Sequence, residues 1–161
     1  MKMLFPKARV LAYFTAPIRG VKGSSASKKD IHGNIEAGRK IAARISNYFG
    51  SMLNMYVPHN QDDLIQILWY GKKITVWDIL EGDCQIVAQK DILIAWAPKG
   101  VISAGMLREI KTAKEREIPV VQFEKFDDEV AITILKFIYQ IMERKIKGIS
   151  AKELTEDLGT E

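Results

Sequence analysis

An α/β fold, a doubly wound and mainly parallel sheet of four to five strands, is predicted by three features of the chain. Short apolar runs (RVLAYF, SMLNMYV, ILIAW, IPVVQF) alternate with stretches whose apolar residues recur at helical spacing, the pattern of βα units. Pro, Gly or a capping Ser, Asn or Asp punctuates the junctions. The 161 residues are enough for one full core and short for two, so a single domain over 1–147 is expected, with 148–161 as a polar tail.

The first strand spans Val10 to Phe14 and runs into TAPIRGVKGSSASKKDIHGN, where Pro, Gly and Ser cluster over too many residues for a plain connector. Asn34 is the expected N-cap of a helix from Ile35 to about Phe49, with Ile41 and Ile45 on one face. SMLNMYVP supplies a second strand, stopped by Pro58, and Gln61 to Tyr70 a short amphipathic helix. A longer helix is expected over Lys73 to Lys90, then ILIAW as a central buried strand that Asp91 caps. Ser103 caps the next helix, to about Arg116; IPVVQF is the last strand. Asp127 or Asp128 starts a final helix whose Val130, Ile134, Phe137 and Ile141 share a face. Four strands with helices between them imply a sheet of the Rossmann or flavodoxin kind. Ligands of such sheets bind at the carboxyl ends of the strands, which directs attention to the loops after Phe14, Val57 and Trp96.

Composition narrows the function classes. Hydrophobic residues at 47% and charged residues at 27% are those of an ordinary globular chain. The net charge of +4 is mild and its cations are interspersed with acids, which argues for a solvated mixed surface more than a nucleic-acid stripe and fits a small anionic ligand at least as well. With one cysteine, Cys84, and two histidines, His32 and His59, neither an internal disulfide nor a Cys/His zinc site can be assembled. A cytoplasmic setting is the expectation. MKMLFPKARV has too short an apolar run for a signal peptide, and no stretch reaches the roughly 18 apolar residues of a membrane span.

Asp83 stands out. On a wheel of about 100° per residue, Val76, Ile79, Leu80, Cys84, Ile86 and Val87 form one apolar arc with Asp83 near its centre. Burying a carboxylate costs roughly several kcal/mol unless it is paired or protonated. Asp83 is therefore either a cap or ion-pair partner of a neighbouring element, or a functional acid. In SAGMLRE, Glu109 lies one turn beyond Gly105 at the flank of an apolar helix face, and the missing side chain of Gly105 is expected to leave room above the carboxylate. Ser103 stands where free backbone N–H groups and the helix dipole favour an anion; as a plain structural residue it is an N-cap, with Glu109 in a surface ion pair. After the first strand, Ile18, Arg19 and Gly20 offer a guanidinium and a close-approaching backbone for a phosphate. Tyr13 lies near the end of that strand, and His59 follows the second.

Taken together, YFTAPIRG at the first strand, PHN after the second, Asp83 and Asp91, and SAGMLRE followed by IPVV resemble the nucleoside 2-deoxyribosyltransferase superfamily. Its closest branch in these motifs is that of the 2′-deoxynucleoside 5′-monophosphate N-glycosidases, over roughly Val10 to Phe123. The resemblance implies that Glu109 is the nucleophile toward C1′ of the sugar. It makes Asp83 the acid that helps the base leave or holds nucleophile and sugar in place, with Tyr13 the hydroxyl beside them. Ser103 marks the phosphate branch, because the nucleoside-level transferases usually carry an acid there. Ile18, Arg19 and Gly20 match the first phosphate loop, Gly105 the helix-start amides, and His59 a pocket position. Such a pair, with carboxyls about 5 Å apart, suits a retaining displacement through a glycosyl-enzyme intermediate.

No metal and no cofactor are called for; a nucleoside 5′-monophosphate and a homodimer are. The chain departs from the branch after IPVVQF, where a partner-borrowed phosphate-binding Ser can stand: here EKFDDEV carries Asp127 and Asp128 and no Ser. SSASKK is the candidate to compensate. The rival readings are a deoxyribosyltransferase using the same intermediate and a non-catalytic nucleotide-binding domain.

Overall fold

The computed structural model describes residues 9–157, with the side chains of residue 62 and of 149–157 left aside. Residues 1–8 and 158–161, parts of the expected domain and tail, lie outside the described residues. The order is β1 (Val10–Thr15), α1 (Lys28–Phe49), β2 (Leu53–Tyr56), α2 (Asp62–Tyr70), α3 (Val76–Val87), β3 (Ile92–Trp96), α4 (Ala104–Glu115), β4 (Val120–Phe123) and α5 (Asp128–Asp157), with short 3-10 turns between several of them.

The four strands form one parallel sheet in the order β2-β1-β3-β4. The sheet is buried on both faces, as βα connections require. Val10, Ala12 and Phe14 of β1 and Ile92 and Ile94 of β3 pack with Ala42, Ile45 and Phe49 of α1 and Ile134 and Ile138 of α5. On the opposite face Tyr13, Leu93 and Ala95 meet Val87 of α3 and Met106, Ile110 and Ala113 of α4. The period-two alternation of β1 thus sends Phe14 and Tyr13 to different layers. The chain leaves β1 toward β2 on one side and returns to β3 on the other, so the order reverses beside β1, where ligands of such sheets bind.

Three boundaries differ from expectation. Helix α1 begins six residues before Asn34, because Ser27 and Asp30 close a capping box: the Ser27 hydroxyl accepts from Asp30 N at 3.1 Å and Asp30 Oδ2 accepts from Ser27 N at 2.9 Å. Asn34 sits inside the helix, its Nδ2 donating to Ile18 O at 2.9 Å. The long connector is thus mostly structured, with a 3-10 turn over Gly20–Ser25 and then α1. Helix α3 starts at Val76, not Lys73, with Thr75 and Asp78 in a second capping box. Helix α5 continues past Gly148 to Asp157, through most of the segment expected as a tail; Asp127 caps it, accepting from Val130 N at 3.1 Å.

Asp91 ties the far end of the sheet. Its Oδ2 accepts from Leu11 N at 2.7 Å and pairs with Lys145 of α5 at 2.5 Å, so its side chain ties down the neighbouring strand β1 where a cap on its own strand was expected. Among the described residues no helix is long and apolar enough to cross a membrane.

Candidate functional site

Two residues of β1 begin the site. Tyr13 and Thr15 point to the α3/α4 layer and are both buried. From α4, Glu109 reaches back to them: Tyr13 Oη donates to Glu109 Oε1 at 2.8 Å, and Thr15 Oγ1 donates to Oε2. Glu109 is only 6% exposed and has no ion-pair partner among the described residues. Asp83, half-buried on α3, lies close enough for its charge to act on both Tyr13 and Glu109. Among the described residues the aspartate in the apolar arc makes no ion pair, and it stands beside a second carboxylate from another helix.

The electrostatics follow from burial. Loss of water raises Glu109 to about 7, against the pull of the Thr15 and Tyr13 hydrogen bonds and with a push from Asp83. Burial likewise raises Asp83 to about 6, moderated by Tyr13. Tyr13 itself is held far above the ordinary phenol range, by burial first and then by the two carboxylates. Its proton stays on oxygen, so it acts as a donor. Behind it, Tyr56 of β2 stacks at 5.7 Å between ring centroids, and Lys90 Nζ lies 5.5 Å from the Tyr56 centroid.

Helices α3 and α4 can carry both acids to one place because they approach closely. A Cβ on Gly105 would stand 3.2 Å from Leu80 Cδ2. The missing side chain thus makes room for Leu80 across the helix pair rather than open space above Glu109. Arg108 clamps the same pair, its guanidinium 5.0 Å from the Trp77 ring centroid and 4.0 Å from Glu81.

Asp83 and Glu109 line a cavity of about 750 Å³, within the range of small-molecule sites. One end is polar: Ile18, Arg19 and Gly20 after β1, Ser24, then Lys28 and His32 of α1 face Ser103 and Gly105 at the start of α4. Arg19 makes no ion pair among the described residues, whereas Lys22 is neutralised by Asp30 at 2.8 Å. Gly20 adopts φ +57°, and a Cβ there would meet Asn34 Nδ2 at 2.7 Å, so the turn that presents Arg19 requires glycine. Ser103 Oγ accepts from Met106 N at 3.2 Å, which leaves its hydroxyl hydrogen and the neighbouring amides for a ligand. The other end is apolar, walled by Ile65 and Trp69 of α2 and Val76, Ile79 and Leu80 of α3.

The expected residues are thus brought together with one exception. His59 does not line the cavity: it is buried on the other face, with its ring 6.2 Å from that of Phe14 and against Gly38 of α1, where a Cβ would lie 3.2 Å from Nε2. Burial, with the Arg39 charge, lowers it to about 4, and it packs as a neutral ring. Thr15, Lys28, His32 and the α2 wall were not singled out from the sequence. Thr15 had a signal, since i and i+2 of a strand share a face and Tyr13 was already implicated; the walls depend on tertiary packing. A scan of protein-family models finds none that matches this chain, and neither the curated proteins nor the solved structures yield a match.

Proposed function

We propose that the protein hydrolyses the N-glycosidic bond of a nucleoside 5′-monophosphate, giving free base and a sugar 5-phosphate. The observation that carries this reading is that Glu109 and Asp83, from two helices, line one cavity, with Glu109 held by the Tyr13 hydroxyl, and that the same cavity opens onto Arg19, which makes no ion pair among the described residues. An apolar end suits a base, the floor a sugar carbon, and the polar end with the start of α4 a phosphate.

In this mechanism the Glu109 carboxylate attacks C1′ as the C1′–N bond breaks, and the departing base takes its proton from the Asp83 carboxyl. Water then adds to C1′, giving a proton back to Asp83 as the bond from C1′ to Glu109 breaks, and the sugar phosphate leaves. Burial raises both acids toward neutrality, so one carboxyl keeps its proton to higher pH than an exposed acid would, and Tyr13 holds Glu109 in place. The proposal includes a homodimer in the cytoplasm, and kinship with the nucleotide-cleaving branch rests on the motifs.

Incubation with a panel of nucleoside monophosphates, each with and without a second base, tests the reading by chromatography. Free base and sugar phosphate are expected; a new nucleotide would instead assign a transferase, and binding without release a non-catalytic domain. Glu109→Ala is expected to lower release at least 10³-fold, on the order of a lost nucleophile, while nucleotide affinity stays within a few-fold. Turnover equal to that of the parent would remove the mechanism. Ser103→Asp places an anion where phosphate is proposed to lie, and is expected to reduce the ratio of nucleotide to nucleoside rates by roughly 10-fold or more; an unchanged ratio would count against the phosphate end.

A further inference from the structure

Thr15 ends β1, the strand hydrogen-bonded on both sides by β2 and β3, and is 3% exposed. Its hydroxyl is a polar atom in a buried layer, and its bond goes to Oε2 of Glu109. Tyr13, two residues earlier on the same face, occupies Oε1 at 2.8 Å. Each oxygen of the carboxylate is therefore held by one hydroxyl from one strand, and each keeps a further lone pair.

We propose that Thr15 is a positioning residue for Glu109: with Tyr13 it fixes the plane of the carboxylate, presents a free lone pair to the cavity, and favours the ionised form. The first two parts rest on the nucleophile reading above; the last does not, because it concerns a titration that needs no substrate. A hydroxyl that donates to a carboxylate stabilises the anion over the acid, and does so most strongly where water is excluded. Protonating Glu109 weakens both bonds, because a neutral carboxyl is a poorer acceptor than the anion. Removing Thr15's donor lifts that obstacle and leaves the carboxylate free to rotate about the single remaining tether at Oε1.

The other groups that face Glu109 are Tyr13 from β1 and Asp83 from α3, with Tyr56 and Lys90 stacked behind Tyr13. Arg108 adjoins it on α4, and Arg19, Lys28 and His32 line the cavity above. None of these is altered by a change at Thr15, so a displaced midpoint reports the lost hydroxyl.

Thr15→Val keeps the shape and deletes the donor; Thr15→Ser restores it. Carboxyl-carbon NMR titration of Glu109 in the full-length protein, without substrate, is expected to show the midpoint raised by roughly one pH unit in Thr15→Val and returned toward the parent value in Thr15→Ser. On the substrate found by the nucleotide panel, Thr15→Val is expected to lower kcat ~10-fold at pH 6.5 with KM within ~2-fold, and to move the limb of the pH profile that follows Glu109 upward by the same amount as the NMR midpoint. Should Thr15→Val fail to fold, Thr15→Cys, a weak donor of similar size, is expected to shift the midpoint in the same direction. An unmoved midpoint overturns the proposal whatever the activity. A moved midpoint in a protein that releases no base overturns the enzyme reading and leaves the hold on the carboxylate standing.

Discussion

Glu109 shows how a single residue couples stability to chemistry. Its pKa rises from 4.5 to about 7 in the fold, so the folded protein binds this proton more tightly than the unfolded chain. Stability from this group is therefore greatest at low pH and declines as pH climbs from about 4.5 toward 7. At pH 8 the buried anion costs roughly 3 kcal/mol. Glu109→Gln is expected to melt at a higher temperature than the parent at pH 8, with the advantage gone near pH 4; thermal unfolding at the two pH values checks it. For activity, the pair titrates as a unit. Two limbs near the raised values of Asp83, about 6, and Glu109, about 7, are expected to bound a bell-shaped profile of kcat/KM. Asp83 was legible because an aspartate in an apolar arc contradicts its own helix, and Glu109 only through the motif SAGMLRE that carries it. Thr15 was not, since a threonine near a strand end contradicts nothing. His59 was misplaced because proximity to a strand's carboxyl end does not say which side of the sheet the following turn enters.

At the scale of elements, patterning and end signals decided most boundaries. The four strands were visible as apolar runs, and Ser103 as the cap of α4, because those signals are local. The start of α1 was not. SSASKKD carries several serines, a glycine-rich approach and no apolar run, so its polar residues pointed to a loop; the capping box of Ser27 and Asp30 is the stronger term, since it satisfies two otherwise free backbone donors. The first turn it nucleates holds Lys28 and His32 at the polar end of the cavity, with Lys28 Nζ 5.5 Å from the Tyr70 ring centroid of α2. Ser27→Ala is expected to cost about 1 kcal/mol and to raise KM for the nucleotide several-fold while kcat stays near the parent value. Denaturant titration together with steady-state kinetics measures both. A loss of stability with KM unchanged would detach this turn from ligand binding.

For the whole molecule, the parallel sheet separates two tasks by its two ends. The cavity lies at the carboxyl end beside β1 and β3, whereas Asp91 joins β1, β3 and α5 at the amino end through Leu11 N and Lys145. Asp91→Ala leaves the Leu11 amide without its side-chain acceptor and removes the ion pair of Lys145, which keeps its 3.2 Å bond to Arg9 O. It is expected to cost about 2 kcal/mol, read as a lower denaturation midpoint, with kcat per folded molecule unaltered. The cavity was legible from sequence only as a place, the end of the central strands, since its volume and walls arise from how α1, α2 and α3 lean over it. One geometric fact reaches furthest. The bonds that hold Glu109 join residues 96 and 94 positions apart in the chain, so cutting the polypeptide anywhere between Thr15 and Glu109 yields two pieces, neither of which owns both donor and acceptor. The hold on this carboxylate belongs to the uninterrupted span, and a nicked protein regains it only by bringing its halves back into register.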